Sequence, residues 1–163
     1  MFIIVSFVVM LVTLSASVDK SRYAVIGRQA PTVVVERGDT AASLQSMRGK
    51  QVVLSFWSAA DAESRVMQTK LAALVRRAGA GAGNVEVMSV NFDRSEGLMN
   101  EIVNLDNLDT SSQYYVGSTD QAQAMRQAYE MQQGLRTFII DAEGRIAVAD
   151  PTDSQLARLM DAA

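Results

Sequence analysis

Asp61, Glu63, Ser64 and Arg65 fall within one short stretch and carry the side-chain types that move protons, attack carbonyls and bind anions. Two carboxylates that converge on one bond can divide acid and base roles, but positions two apart on a helix splay away from each other. The same divergence argues against a metal clamp. Ser64 as a nucleophile needs a general base, and the 163-residue chain contains no His. It contains no Cys either, which excludes a thiolate nucleophile, a disulfide, an iron–sulfur cluster and thiolate-bound zinc. The structural alternative for this cluster is a helix start. Asp61 would cap it for about 1 kcal/mol, Glu63 would favour its positive end by about 0.3–1 kcal/mol, and Arg65 would pair with Asp61 one turn away.

Other spacings carry less chemistry. Asp106 and Asp109 in NLDNLD lack the glycine and terminal glutamate of a calcium loop. Ser17-Val18-Asp19-Lys20 matches S-x-x-K, but no S-D-N or K-T-G follows it. The glycines of residues 79–83 lie between a helix and a strand, the reverse of the order a phosphate loop needs, and read as a flexible connector. Tyr114, Tyr115 and Tyr129, with nine Met, fit either a soft apolar binding face or core filling. Gln121, Gln123, Gln127, Gln132 and Gln133 fit an exposed neutral face.

The elements that must position residues 61–65 alternate between strand and helix. Residues 51–57 (QVVLSFW) give the strongest strand signal in the chain, bounded by Gly49-Lys50 and by Ser58-Ala59-Ala60-Asp61. Residues 61–78 predict a helix, with Val66, Met67, Leu71, Leu74 and Val75 at three- and four-residue spacing. Residues 85–92 alternate as a second central strand. Residues 32–36 predict a short strand, followed by a helix over 41–47 capped by Asp39 or Thr40. Further helices are expected over 96–105 and 121–131, with a polar loop over 106–119 between them. Residues 137–141 and 145–149 predict a hairpin whose second strand lies at an edge, and a last helix capped by Thr152 or Asp153 runs to about residue 160. The alternation implies an α/β sandwich with a mixed sheet.

With 15 Lys plus Arg against 18 Asp plus Glu, the net charge is −3, and nothing favours a nucleic-acid partner. Length and the 48% hydrophobic content fit one folded domain. Residues 1–18 carry no charged side chain, and 1–12 (MFIIVSFVVMLV) are apolar but for Ser6. As a helix, 18 residues would span about 27 Å, close to a hydrocarbon core of about 30 Å. Leu14-Ser15-Ala16-Ser17 resembles a signal-peptidase region, or a lipoprotein signal with serine in place of the lipid-bearing cysteine. Residues 1–18 therefore read as a signal peptide or membrane anchor, 19–29 as a linker and 30–163 as the domain. Lys20, Arg22 and Arg28 follow the apolar run, and on a retained anchor they would bias the domain to the cytoplasmic side.

Residues 49–59 (GKQVVLSFWSA) resemble the G-K-x-V-V-L-N-F-W-A-T of the thioredoxin-like superfamily, in its envelope-anchored TlpA/ResA-like, AhpC/TSA-related thiol–disulfide oxidoreductase type. Residues 138–146 (FIIDAEGRI) resemble that family's F-L-I-D-x-x-G-x-I, in the right order. The resemblance implies a thioredoxin-like three-layer sandwich with a mixed central sheet, in an exported, periplasmic or membrane-tethered protein of a bacterial envelope. It also implies a C-x-x-C at the helix start, and those two positions fall on Asp61 and Ser64, which cannot exchange disulfides. The family's cis-proline position falls on Leu135. A cis bond before a non-proline residue costs about 2.5–4 kcal/mol, so a trans bond is expected. The resulting reading is a redox-inactive protein with no catalytic residue, cofactor or metal. Its former active-site surface (Trp57, Asp61, Glu63, Ser64, Arg65, Leu135 and Arg136) would bind a protein or peptide partner, or serve an envelope assembly. The alternative is an oxidoreductase that works with a partner's cysteines, or one whose native cysteines have been replaced.

Overall fold

The run Gln51–Trp57 forms a strand with those bounds, and every residue in it except Gln51 is buried. Its alternating side chains enter opposite faces: Val52, Leu54 and Phe56 join one apolar cluster, while Val53 and Trp57 join two others. Such a strand needs neighbours on both edges and cover on both faces. In the computed structural model, which describes residues 23–79 and 83–162, seven strands and four helices provide them. The strands are β1 (Val34–Arg37), β2 (Thr40–Ser43), β3 (Gln51–Trp57), β4 (Val85–Asn91), β5 (Gln113–Tyr115), β6 (Thr137–Ile140) and β7 (Ile146–Ala149), in the order β2-β1-β5-β4-β3-β6-β7. The sheet is mixed: β3, β4 and β5 run parallel, while β6 and β7 on one side and β1 and β2 on the other pair antiparallel.

Helices α1 (Ala62–Ala78) and α4 (Asp153–Asp161) cover one face through Leu71, Leu156 and Met160, and α2 (Glu96–Leu105) closes over Trp57 with Met99 and Val103. Helix α3 (Thr119–Ala128) packs on the opposite face through Met125. The expected α/β sandwich is therefore present, with β7 at a sheet edge as read.

Four local expectations change. The helix expected over 41–47 is absent. Gly38, at φ +56, turns the chain so that β2 pairs with β1, and only Leu44–Met47 winds into a 3-10 turn, capped by Ser43. The polar stretch 106–119 is not a single loop, because it contains β5, which lies between β1 and β4. Helix α3 starts at Thr119 on a Ser118 cap and stops at Ala128 rather than running to 131. Glu130 adopts φ +54, and Tyr129 and Met131 turn into the core. The described part of the 19–29 stretch docks rather than dangles: the Ala24 N–H donates to Ala128 O at 2.7 Å and the Gly27 N–H to Ile146 O at 2.8 Å. The leader reading of residues 1–18 lies outside the described residues, as do residues 80–82 of the glycine connector.

One core group ties the face under α3 to the chain's entry. Tyr129 is fully buried between Phe56 and Phe138, with ring centroids 4.9 and 5.2 Å away, and its Oη–H donates to Pro31 O at 2.7 Å. Burial pushes the phenol's pKa far above its ordinary value. The neutral form is therefore the one the fold stabilises, intact below about pH 10 and opposed as pH rises past it. Tyr129→Phe should cost about 1 kcal/mol near neutral pH through the lost hydrogen bond. It should also flatten the decline of stability above about pH 10. Urea denaturation near pH 7 and near pH 11 checks both, and a variant declining as steeply as wild type would refute the assignment.

Candidate functional site

The C-terminal ends of β3 and β4 lie side by side, with Trp57 opposite Asn91, and the chain leaves β3 through residues 58–60 into α1. Asp61 has extended backbone (φ −101, ψ 104), and its Oδ1 accepts the Ser64 N–H at 2.7 Å, so it caps α1 as expected. Ser64 is buried. Its Oγ donates to Asp61 O at 3.1 Å and accepts the Ser58 N–H at 3.3 Å. Both positions are committed to building the turn. Glu63 lies exposed in the first turn of α1.

A group that the sequence reading missed holds this turn from below. The Asp93 carboxylate accepts Ser58 Oγ–H and the Ala59 N–H, each at 3.0 Å, and Asn91 Nδ2–H at 2.7 Å. Asn91 is fully buried, and its Oδ1 accepts the Asp93 N–H at 2.9 Å. The available signal was topological: adjacent parallel strands bring their C-terminal loops to one edge of the sheet.

Arg65 does not pair with Asp61. Its Nε–H and Nη2–H bind Asp106 Oδ2 and Oδ1 at 2.9 and 2.7 Å, a two-pronged bond from α1 to the residue capping the end of α2. The Asp61 carboxylate already serves the Ser64 N–H, so the guanidinium turns to the neighbouring helix instead. The Asp106 hydrogen bond raises the pKa of Arg65 against a smaller opposing effect of desolvation. Arg65 and Asp106 border a shallow depression of about 360 Å³ with Ala59, Ala60 and Val66.

On the other side of the cap, Glu63, Ser64, Met67, Leu135 and Arg136 line a cleft of about 240 Å³. Four of the seven singled-out residues therefore meet in one place. Asp61 caps α1 outside the cleft, and Arg65 faces α2. Trp57 offers no surface: it is 0% exposed, packed with Met99, Val103 and Leu108, and its indole N–H has no partner among the described residues. It follows the strict alternation of β3 and is carried under α2. Arg136 is held by Asp150, with Nη2–H and Nε–H at 2.7 and 2.9 Å from Oδ2, and lies 5.0 Å from the ring centre of Phe138. No peptide bond among the described residues is cis, including the one before Leu135.

The cleft thus offers an exposed carboxylate, a neutralised guanidinium and the apolar Met67 and Leu135. Among the described residues no group of three or more His, Cys, Asp or Glu is placed to hold a metal. From Thr137 in the cleft, a polar row of Thr137, Ser55, Ser89 and Gln113 runs in register across β6, β3, β4 and β5. Ser55 Oγ lies 2.9 Å from Thr137 Oγ1 and accepts Gln68 Nε2–H from α1 at 3.0 Å.

Asp61→Ala should cost about 1 kcal/mol. Asp93→Ala should cost more, about 2–3 kcal/mol, because it strands the buried Asn91 amide as well as the Ser58 and Ala59 donors. A double-mutant cycle on Arg65 and Asp106 should give a coupling of about 1 kcal/mol. Chemical denaturation measures all three, and an Asp93→Ala cost no larger than that of Asp61→Ala would remove Asp93 from its supporting role.

With this geometry in hand, comparison with known proteins places the chain. A model of the AhpC/TSA family matches residues 26–149. A crystallised thioredoxin-like protein from Parabacteroides distasonis is 28% identical with a TM-score of 0.68, over 85% of this chain and 96% of that one. The thioredoxin domain of a thiol-disulfide oxidoreductase from Bacteroides vulgatus is 20% identical with a TM-score of 0.71, over 82% and 94% of the two chains. A thiol:disulfide interchange protein from a Bacteroides species is 19% identical with a TM-score of 0.72, over 84% and 88%. No curated protein sequence matches significantly. The sandwich is a thioredoxin-like fold.

Proposed function

The chain belongs to the AhpC/TSA family, and from that premise we propose that it is a redox-inactive member that binds a protein or peptide partner through the cleft of Glu63, Ser64, Leu135 and Arg136. The observation that carries this reading is the complete absence of cysteine, with Asp61 and Ser64 standing at the start of α1 and occupied with capping it. Thiol–disulfide exchange needs a thiolate to attack and a second sulfur to leave, and this chain supplies neither. The cleft keeps what binding needs: apolar Met67 and Leu135 floored by Phe56 and Thr137, with an exposed carboxylate at the rim. The apolar run 1–12 and the small residues 14–17 support export, as a periplasmic or membrane-tethered protein of a bacterial envelope.

A second reading, an oxidoreductase-type enzyme, draws support from the names of two solved relatives. It requires cysteines from a partner or native cysteines at 61 and 64. Insulin reduction by dithiothreitol tests whether this chain is redox-inactive: it should leave the uncatalysed rate unchanged, and Asp61→Cys/Ser64→Cys should raise it. A wild-type rate above background would overturn the redox-inactive reading. For the cleft, Leu135→Asp with Glu63→Arg should weaken a cross-linked envelope partner about tenfold, a loss of ~1.4 kcal/mol, whereas Asp61→Ala should retain it. An unchanged partner set in the cleft variant would sink the binding assignment.

A further inference from the structure

The chain enters the domain through a tight turn at residues 25–28: the Arg28 N–H donates to Val25 O at 3.0 Å, with Gly27 at φ +82. This turn is fastened to β7. The Gly27 N–H donates to Ile146 O at 2.8 Å, and the Ile146 N–H donates to Arg28 O at 2.9 Å. It therefore holds its side chains in fixed positions, with Ile26 63% and Val25 37% exposed. Beside them, Arg28 and Arg145 line a shallow depression of about 390 Å³ with Gly27 and Gln29. Among the described residues neither arginine has a carboxylate partner, whereas Arg65, Arg77 and Arg136 each do. Arg48 lies alongside, bonded to Gln29 Oε1 at 2.9 Å. Of the nearby acids, Asp141 is turned to the Arg145 N–H at 2.7 Å, and Glu143 is exposed.

We propose that the 25–28 turn with Arg145 is a docking surface for an anionic phospholipid bilayer. Ile26 would enter the acyl boundary, and the Arg28 and Arg145 guanidinium groups, the latter also donating to Gly27 O at 3.4 Å, would take headgroup phosphates. The occupant is indicated by what lies upstream. The apolar run ends at residue 12, Lys20 and Arg22 follow, and the chain from residue 12 to residue 25 reaches about 45 Å at most. The inference rests on the reading of the apolar run as a retained membrane segment. Orientation follows from strand register. Ile146 pairs with Ile140 at the docked end, while Ala149 pairs with Phe138 at the end where Leu135, Arg136 and Asp150 border the cleft. Docking would thus turn the cleft away from the membrane and toward partners.

The absence of cysteine from this sequence makes the test direct. The full chain carrying Ile26→Cys or Leu105→Cys is nitroxide-labelled and reconstituted into vesicles of phosphatidylglycerol and phosphatidylcholine. Flotation is read first, then spin-label accessibility to oxygen and to a nickel chelate. The chain should float, with label 26 open to oxygen and shielded from nickel, and label 105 open to nickel. Arg28→Gln/Arg145→Gln should lose the shielding at 26 while the chain still floats. A chain that fails to float overturns the retained-anchor reading. A floating chain whose label 26 is as open to nickel as label 105 overturns the docking alone. Equal shielding in pure phosphatidylcholine, or its loss on adding inorganic phosphate to a chain that still floats, overturns the bilayer-headgroup contact.

Discussion

Burial of β3 on both faces is the constraint from which the rest of the molecule follows. A strand with Val52, Leu54 and Phe56 on one side and Val53 and Trp57 on the other cannot sit at an edge or face water. It therefore takes β4 in parallel and β6 in antiparallel pairing, with α1, α2 and α4 on one face and α3 on the other. The two polar positions around it obey the same constraint. Ser55 is tolerated because Thr137 and Gln68 satisfy its hydroxyl, and the exit from the strand at residues 58–60 is tolerated because Asp93 satisfies its donors.

Local signals sufficed wherever an element carries its own instructions. The β3 run, the Asp61 cap, α2 and the Thr152 start of the last helix are all visible within a few residues of sequence. Elements defined by distant partners were not visible. Strand β2 has the sequence TAAS, and β5 has QYY, too short and too polar to show a period of two. Each is a strand because a neighbour needs its backbone groups.

The site divided along the same line. Capping by Asp61 is local and legible, whereas Arg65 finds its partner 41 positions away on another helix. The resemblance puts Trp57 on the surface, whereas the cover of α2 over its face of β3, through Met99 and Val103, buries it. Asp93 and Asn91 lie outside any motif, and only the pairing of β3 with β4 brings them under residues 58–60. The turn from β3 into α1 is held by Asp61, Ser64 and Asp93, each through hydrogen bonds to backbone groups of residues 58–64.

The sheet is also unevenly joined. In strand pairing the β1–β2 hairpin meets the rest of the sheet where Glu36 faces Tyr115, while Val35 packs into the shared core; Gln113 of that three-residue strand carries a buried side-chain oxygen without a partner among the described residues. Cooperative stability should therefore break along this seam first. The hairpin forms a leaf that opens at a lower free energy than the block of β3, β4, β6 and β7. Its amides would exchange with solvent through partial opening, while those of the block would wait for global unfolding.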